Sequence, residues 1–377
     1  MRVDWYPATL KDLCVVDWGN TNLTKSAYVE GGKFLAVSAA GCDGRIDHKE
    51  HSKCTPVLSA IGAQCGKMFF PQEDFTAIKN TITLTPREGK CVGKFLYHLL
   101  TFVELPQRGA GQPFISKGDI QSFAVTCPPI PEQERIVAIL DKAFEGIAAV
   151  KANAERNLQN ARELFESHLE RVFSGRGKSW PNAALGDLCT FVRGPFGGSL
   201  KKSMFVADGY AVYEQQHAIY DQFDDVRYFI NDRKFKEMSR FELLPNDLIM
   251  SCSGTMGRVA IVPEGIRRGI INQALLKLTP TPKILNTFLR AWMESAAFGD
   301  ALKEYSGGAA IQNVASVKIL KEIRAPLPSV VEQKNVVAEL LAIRTSTESL
   351  ADTYERKLTA LDDLKTSLLH QAFNGQL

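Results

Sequence analysis

Residues 132–175 read EQERIVAILDKAFEGIAAVKANAERNLQNARELFESHLERVFSG, and residues 332–375 read EQKNVVAELLAIRTSTESLADTYERKLTALDDLKTSLLHQAFNG. Thirteen positions are identical without a gap, where average composition gives about three chance matches over such a span. A repeat has to be recognised before any motif is read, because it fixes the architecture. The sequence therefore predicts two diverged copies of one unit, each ending in a long helix.

The apolar residues of both segments recur in alternating steps of four and three, with one extra step of four in each copy. This spacing is typical of the a and d positions of a coiled coil with a local stutter. At about 1.5 Å per residue each helix would be a rod of roughly 66 Å, and its apolar seam needs a partner. We expect the two helices to pack antiparallel against each other; the alternative is two helices lying separately on the domain surfaces. The predicted seam consists of Ile136, Leu140, Ile147, Leu158, Phe165, Val336, Leu340, Leu350, Leu358 and Leu368.

Proline and glycine mark the predicted ends of these helices. Proline clusters at residues 128–131 and 326–328 suit the first helical turn, because proline fixes φ and needs no hydrogen-bond partner there. Gly175 and Gly375 are placed to end the helices.

The repeat extends into the regions that precede the helices. The pattern around Trp5 recurs around Trp180, and Ser59 with Asn80 resembles Ser251 with Asn272. The sequence predicts domains at residues 1–130 and 177–328, with long helices at residues 131–176 and 329–377. The predicted fold class is α+β: two α/β-type globular domains, separated and joined by two long antiparallel coiled-coil helices, with a pseudo-two-fold internal repeat. The first and last residues are then expected to lie near each other.

Composition sets limits on location and partners. The chain has 377 residues with a net charge of +3, and it contains neither a long apolar run nor an apolar stretch at its start. Its eight cysteines have no framework spacing, which favours reduced thiols and a cytoplasmic protein without a membrane span. The globular regions are mildly basic and the helices mildly acidic, so a polyanion is a possible partner.

Catalytic signatures are weak. Residues 62–67 resemble a phosphate-binding loop, but that loop is one residue short and lacks the following Ser or Thr, so a hairpin turn is expected. Residues 127–130 (Cys-Pro-Pro-Ile) lack the flanking residues of an amino-methyltransferase motif, so they are interpreted as the start of a helix. The spacing of Cys42, His48, His51 and Cys54 fits no common zinc pattern. The chain is therefore predicted to bind, without a catalytic site and without a metal.

Basic, aromatic and amide side chains in loop-like segments favour DNA, because Lys and Arg neutralise phosphates while Arg, Asn and Gln read base edges. For any single residue a solvated surface charge is the alternative. The candidate DNA-binding residues of the first domain are Lys25, Tyr28, Lys33, Arg45, Lys67, Arg108 and Gln112. Those of the second domain are Arg193, Lys201, Lys202, Arg233, Lys234, Arg258, Arg267, Arg268 and Gln312.

Two domains, each followed by a helix that opens with Pro-x-Pro and Glu-Gln and closes near Phe-x-Gly, resemble the specificity subunit of type I restriction–modification systems. Residues 251–263 (SCSGTMGRVAIVP), followed by Ile271-Asn272-Gln273, are similar to that family's target recognition domain. The resemblance covers the whole chain.

The resemblance implies a non-catalytic subunit whose two recognition domains each read one half of a bipartite, asymmetric site in double-stranded DNA. The paired helices would set the spacing and dock two modification subunits, and restriction subunits would join them. The chain itself would bind no cofactor; S-adenosylmethionine, ATP and Mg would belong to the partner subunits. The alternatives are a coiled-coil scaffold with two protein-binding domains and an enzyme fragment, which the missing cofactor motifs disfavour.

Overall fold

The computed structural model describes residues 4–109, 111–253, 255–305 and 317–377. The chain divides into two compact units: Met1–Glu155 with Glu355–Leu377 (unit 1), and Arg156–Tyr354 (unit 2). Both boundaries fall inside the long helices, so each unit contains one globular domain and part of each helix. The domain limits given by the sequence stay a prediction, since this division follows contacts and cuts through the helices.

Unit 1 contains an antiparallel four-stranded sheet, a three-stranded sheet and a two-stranded ribbon. Its elements in chain order are β1 (Tyr6–Thr9), α1 (Leu10–Leu13), β2 (Cys14–Trp18), β3 (Phe34–Ser38), β4 (Gly41–Ile46), β5 (Val57–Ser59), β6 (Met68–Phe69), β7 (Phe75–Ala77), β8 (Thr81–Pro86), α2 (Gly93–Phe102), α3 (Lys117–Ser122), β9 (Ala124–Cys127) and the first part of α4 (Ile130–Glu170). The strand orders are β2-β8-β5-β6, β4-β3-β7 and β1-β9.

Unit 2 contains the same three sheets. Its elements are β10 (Asn182–Ala184), α5 (Leu185–Leu188), β11 (Cys189–Arg193), β12 (Tyr210–Tyr213), α6 (Gln215–Tyr220), β13 (Phe229–Ile230), α7 (Asp232–Glu237), β14 (Leu248–Ser251), β15 (Val259–Ile261), β16 (Gly269–Ile271), β17 (Leu275–Pro280), α8 (Asn286–Glu294), α9 (Ala296–Tyr305), α10 (Val317–Glu322), β18 (Arg324–Pro326) and the first part of α11 (Val330–Phe373). The strand orders are β11-β17-β14-β15, β13-β12-β16 and β10-β18.

The two units match strand by strand. In each, the three-stranded sheet contains one parallel pair, β3 with β7 and β12 with β16. The predicted α+β fold and internal repeat are therefore confirmed. One detail of the predicted alignment is wrong. Ser59 pairs with Thr81 and Ser251 with Leu275, so Asn80 directly precedes its strand whereas Asn272 lies three residues before its own. Three residues separate β7 from β8 and three separate β16 from β17, so the turns have equal length and Asn80 corresponds to Ala274.

The core of unit 1 takes residues from both long helices. Ile136 and Leu140 of α4 and Leu369 and Phe373 of α11 are at most 8% exposed, and they pack with apolar residues of the four-stranded sheet and α2. The Phe373 ring meets Phe95 of α2 edge to face, with centroids 5.5 Å apart.

The core of unit 2 repeats this arrangement with the helices exchanged. Val336 and Leu340 of α11 pack with Leu169 and Phe173, which come from the end of the first long helical segment. Phe173 meets Phe288 of α8 at the same distance of 5.5 Å. Each core thus needs the helix that follows its own domain and the end of the other one. The alternative of separate helices on the domain surfaces is wrong.

Within each unit the two helices run antiparallel, as predicted. In unit 1, Arg135 near the start of α4 donates to the Leu377 carbonyl (2.7 Å), and Lys151 further along α4 pairs with Asp362 (2.8 Å). Residue numbers therefore rise along α4 while they fall along the neighbouring segment. Trp5 and Leu377 also pack against the same core, so the first described and the last residues of the chain lie in one unit.

In unit 2, the Arg344 guanidinium lies 4.5 Å from the Phe165 ring centroid, and His168 Nε2 lies 2.8 Å from a Glu339 carboxylate oxygen. Sequence order along one helix again runs against order along the other.

Most of the predicted seam is buried or half-buried. Ile136, Leu140, Ile147, Val336 and Leu340 are buried. The half-buried members are Leu158, Phe165, Leu358 and Leu368.

Leu350 is an exception, because 41% of it is exposed. Thr347 and Ala351, close to it in the sequence, line a groove of about 300 Å³ between α11 and α4. The prediction that Leu350 is a buried seam residue is wrong.

The helix ends differ between the copies. Gly375 has φ +68° and its N–H bonds to the Ala372 carbonyl, so it caps α11 as predicted. The first long helical segment also ends at Gly175, as predicted, but its last turn is π-helical (Arg171–Gly175) and a 3₁₀ turn (Arg176–Ser179) follows.

Gln133 ties the first helix to its domain. Its side chain is fully buried; its oxygen accepts from Val92 N–H (2.8 Å), and its amide nitrogen donates to the carbonyls of Lys90 (3.1 Å) and Pro128 (2.8 Å). The amide thereby fixes the segment before α2 to the start of α4.

Gln333 does the same in unit 2. It accepts from Leu285 N–H (2.8 Å) and donates to the carbonyls of Lys283 and Pro328 (both 3.0 Å). The sequence indicated that the Glu-Gln pair is repeated, but not that it holds the domain to the helix. We call Gln133 and Gln333 the glutamine latches.

Candidate nucleic-acid interface

In both units a short loop at the end of the four-stranded sheet carries a basic residue. Lys67 directly precedes β6 and its carbonyl accepts from Ser59 N–H (2.8 Å); Arg258 directly precedes β15 and its carbonyl accepts from Ser251 N–H (2.9 Å). Lys67 and Arg258 are therefore structurally equivalent. Both are exposed, and neither makes an ion pair with any residue that the structure describes. The 62–67 segment is the predicted turn between β5 and β6, not a phosphate-binding loop.

In both units a glycine directly follows the first strand of the four-stranded sheet: Gly19 follows β2 and Gly194 follows β11. Gly19 N–H bonds to the Thr81 carbonyl (2.9 Å), and Gly194 N–H bonds to the Leu275 carbonyl (3.0 Å). A Cβ at either glycine would clash, with Thr81 in unit 1 and with the Asn272 backbone in unit 2. The close approach keeps the strand ends together, so the loops that leave this end of the sheet lie side by side.

Unit 2 adds an aromatic side chain at this end of the sheet. Arg193 is the last residue of β11, and its guanidinium lies 5.8 Å from the Phe196 ring centroid. The Phe196 ring is 69% exposed and was not among the predicted site residues. Lys201 and Lys202 follow in the same loop, exposed and without an ion pair in the described part of the chain. An exposed ring beside several cations suits contact with a nucleic acid.

In the first domain, Lys25 and Tyr28 converge on one carboxylate. Lys25 Nζ lies 2.6 Å from Asp43, and Tyr28 (2.7 Å) and Ser38 (2.9 Å) donate hydroxyl hydrogens to the same carboxylate. Burial raises the pKa of Asp43, but the hydrogen bonds from Lys25, Tyr28 and Ser38 outweigh burial and hold the pKa below its usual value. The charge of Lys25 is therefore balanced locally.

Arg45 and Arg108 are also paired. Arg45 reaches both carboxylate oxygens of Glu73 (2.7 and 3.2 Å), and Arg108 binds Asp119 near the start of α3. By contrast, the predicted residues Lys33 and Gln112 are exposed and have no partner among the described residues.

Arg267 is held by three contacts. It pairs with Asp208, donates to the Gly209 carbonyl (2.8 Å), and lies 4.5 Å from the Phe229 ring centroid. The Arg267 guanidinium lowers the pKa of Asp208. Its charge is compensated by its own domain.

Arg268 donates two hydrogen bonds to Glu242 (2.9 and 3.0 Å) and lies over the rings of Tyr210 and Phe235 (5.7 and 5.1 Å). These rings stack with centroids 3.9 Å apart. The Arg268 side chain is 66% exposed, so it lies on the surface while it also stabilises its own domain.

The remaining candidates lie on or near α7 or outside the described residues. Arg233 (3.6 Å) and Lys234 (3.1 Å) both pair with Glu237. Gln312 lies outside the described residues. The structure therefore separates exposed, unpaired basic candidates from paired ones, and the DNA-binding role of every candidate stays a prediction. The equivalence of Lys67 and Arg258 was missed, although both directly precede an apolar strand.

Within the described ranges, no group of three or more His, Cys, Asp or Glu residues is arranged to hold a metal ion, and His51 instead packs against the Phe75 ring. None of the helices in the described ranges is long and apolar enough to span a membrane.

Comparison with known proteins adds a family. The profile described as "Type I restriction modification DNA specificity domain" matches residues 2–158 and 177–355. The chain is 23% identical over 77% of its length to the Type I restriction enzyme EcoBI specificity subunit of Escherichia coli, covering 67% of that protein. It is 21% identical over its whole length to the EcoDI specificity subunit of Escherichia coli, covering 89% of it.

Solved structures share the fold. A chain from a study of complex assembly and conformational transition of the type I R-M system aligns with a TM-score of 0.76 at 17% identity, covering 99% of this chain and 98% of that one. The HsdS subunit from Thermoanaerobacter tengcongensis aligns with a TM-score of 0.60 at 18% identity, covering 99% and 97%. Two matched copies of the family profile, on two units of identical strand order, place this chain in the family of type I restriction–modification DNA specificity subunits.

Proposed function

We propose that each unit reads one half of a bipartite, asymmetric sequence in double-stranded DNA. The observation that supports this most directly is the equivalence of Lys67 and Arg258. The same framework presents an unpaired cation at the same place in both units, whereas the surrounding loops differ in length and sequence. A common way of meeting the phosphate backbone combined with different neighbouring side chains suits two reading heads with different base preferences.

The long helices would hold the two heads at a fixed spacing and dock two modification subunits, with restriction subunits joining that assembly. S-adenosylmethionine, ATP and Mg would act in those partners, and this chain would supply no catalytic group and bind no cofactor. Support comes from the glutamine latches, which join each domain rigidly to the start of its helix. A rigid joint is what a spacing device requires.

The test is to sequence the methylated bases of host DNA with the gene present and with it deleted. Loss of methyl-adenine at one bipartite motif on deletion is the expected result. A chain carrying substitutions in the loop that ends at Lys67 should alter one half of the motif, and substitutions in the loop that ends at Arg258 should alter the other. An unchanged methylation pattern on deletion would refute the proposal, as would a single loop whose substitution alters both halves.

A further inference from the structure

Two cysteines of unit 1 lie on either side of a glutamine latch. Cys91 precedes α2 and Cys127 ends β9; they are 6% and 0% exposed and belong to one core. Gln133 binds the backbone on both sides of Cys91, and its amide nitrogen also lies 3.3 Å from the Cys127 sulfur. Two segments 36 residues apart in the sequence are thereby brought together with their thiols in contact.

The Cys127 sulfur lies among polar groups. Besides the Gln133 amide, it accepts hydrogen bonds from the Cys91 thiol and the Tyr6 hydroxyl, and its own S–H donates to the Pro128 carbonyl (3.6 Å). The hydrogen bond from Cys91 lowers the pKa of Cys127 despite its burial, and the same bond, with burial, raises the pKa of Cys91. Of the two thiols, Cys127 is therefore the one that loses its proton more readily.

Unit 2 has no thiol at the equivalent positions. The latch contacts make Cys91 equivalent to Ile284 and Cys127 equivalent to Leu327, and both apolar residues pack against the unit 2 core. The fold therefore accepts plain apolar side chains at both places. Packing alone does not account for a pair of mutually hydrogen-bonded thiols.

A surface concavity of about 360 Å³ lies beside Tyr6, whose hydroxyl bonds to the Cys127 sulfur. Tyr6 lines it together with three basic side chains and one acidic side chain, Lys11, Arg87, Lys90 and Asp12. The acidic side chain, Asp12, accepts hydrogen bonds from Thr9, and the basic side chains outnumber it three to one. Tyr6, which is 39% exposed, connects this positively charged concavity with the reactive sulfur. A small disulfide that carries carboxylates fits such an approach.

We propose that Cys91 and Cys127 form a reversible disulfide by exchange with a small anionic disulfide of the glutathione type. The Cys127 thiolate attacks one sulfur of the small disulfide, whose S–S bond breaks and releases one small thiolate. That thiolate takes the proton of Cys91, and the new Cys91 thiolate attacks the Cys127 sulfur, releasing a second small thiolate that is protonated by solvent. Two protein thiols are oxidised, and one small disulfide is reduced to two thiols.

The disulfide fastens the segment before α2 to the end of β9, at the place where α4 begins. A crosslink between distant segments restricts the unfolded chain, so oxidation stabilises unit 1 against thermal unfolding. Unit 2 has no counterpart. Oxidation therefore stiffens one of the two joints between domain and helix and leaves the other as it was.

The experiment treats the full chain with glutathione disulfide and then with dithiothreitol. Intact-mass spectrometry should show the loss of two hydrogens, restored by dithiothreitol. Tryptic mapping should show a linked pair of peptides, one beginning at Cys91 and the other running from residue 118 to 135. A higher unfolding temperature of the oxidised chain is expected. Linkage of other cysteines, or persistence of both free thiols at high concentrations of glutathione disulfide, would overturn the proposal.

Matched variants come from the chain itself. Cys91→Ile and Cys127→Leu introduce the residues of unit 2, and each should abolish the linked peptides and the rise in unfolding temperature. If a variant fails to fold, the peptide mapping of the unsubstituted chain still tests the proposal. Cystamine, a cationic small disulfide, should react more slowly than glutathione disulfide; equal rates would overturn the proposed charge selection.

Discussion

Where the domain of unit 1 meets the long helices, a polar cluster fills the junction, whereas uncharged side chains replace that cluster in unit 2 and a cavity remains. In unit 1, Lys94 pairs with Asp141 (2.7 Å), and His98, 5% exposed, lies 3.6 Å from the same carboxylate. His98 also meets the Phe144 ring edge to face, and Lys365 lies over that ring. Burial lowers the pKa of His98 to about 4, and its Nε2 has no hydrogen bond with a described residue.

In unit 2, the three equivalent positions are Thr287, Ala291 and Leu341. They line a cavity of about 200 Å³, and Leu341 is 61% exposed. Three charged side chains also line the cavity, Arg290, Glu294 and Arg344, and Arg344 pairs with Glu294 (2.7 Å). The two junctions share a backbone and the latch but differ in chemistry. The contacts that set the architecture have been kept, and the side chains between them have diverged.

The largest expected effect comes from breaking the shared part. Gln133→Leu and Gln333→Leu each remove the three hydrogen bonds that the amide makes to one backbone N–H and two carbonyls, so each should lower the free energy of unfolding by about 3–6 kcal/mol. Urea denaturation of both variants measures this. Glu134→Gln, on the exposed face next to the first latch, is the control and should be nearly neutral. If one latch variant lost much less stability than the other, the two joints would not be equivalent.

The second effect concerns only the polar junction. The pKa of His98 in the folded state is about 4, below its unfolded value, so the unfolded chain binds more protons between roughly pH 4 and 6.5. Stability is therefore lost as pH falls through that range, by up to about 3 kcal/mol from this residue. His98→Ala, which introduces the unit 2 residue, should flatten the pH dependence of the free energy of unfolding. An equally steep dependence in the variant would place its origin elsewhere.

The third effect concerns the helix seam. Leu158→Asp and Leu358→Asp place a charge at half-buried positions, so each should lower the free energy of unfolding by about 2 kcal/mol and loosen the pairing of the two helices. Leu350→Asp is the matched control, because that side chain is already 41% exposed. Thermal unfolding ranks the three variants. A loss of stability at residue 350 equal to the other two would contradict the greater exposure of Leu350.

The smallest effect concerns the equivalent cations. Lys67→Ala and Arg258→Ala should each weaken DNA binding about five- to tenfold at physiological salt and reduce the slope of log affinity against log salt by about 1. Lys142→Ala, on α4 and away from the domain loops, is the control. Titration of the assembled complex at several salt concentrations measures both quantities. An unchanged slope in both loop variants would show that this end of the sheet does not meet phosphate.

The paired arginines sharpen that test. The sequence alone predicts that Arg267→Ala with Arg268→Ala weakens binding and flattens its salt dependence. Because Asp208 and Glu242 already balance these charges, we expect this double variant to change the salt slope less than Arg258→Ala does, and to lower stability more. A slope change greater than that of the single variant would mean that both ion pairs open on DNA.

Local patterns in the sequence predicted the repeat, the antiparallel helices and most of the seam, because helical periodicity is a property of neighbouring residues. The pairing of Arg267, Arg268 and Arg45 could not be predicted, since Asp208, Glu242 and Glu73 lie 26 or more residues away. The same holds for the latch partners of Gln133.

One error has a different origin. Leu350 has the expected apolar side chain, but its burial also depends on the other helix, which the periodicity of its own segment does not specify.

Each long helix contributes residues to both cores, and this has a consequence for unfolding. Phe373 completes the core of unit 1 and Phe173 that of unit 2, although each helix starts in the opposite unit. When one core unfolds, the C-terminal part of one helix and the N-terminal part of the other lose their packing. Both helices also contribute residues to the core that is still folded. A calorimetric scan should therefore give one cooperative transition, and a destabilising substitution in one recognition domain should also lower the unfolding temperature of the other.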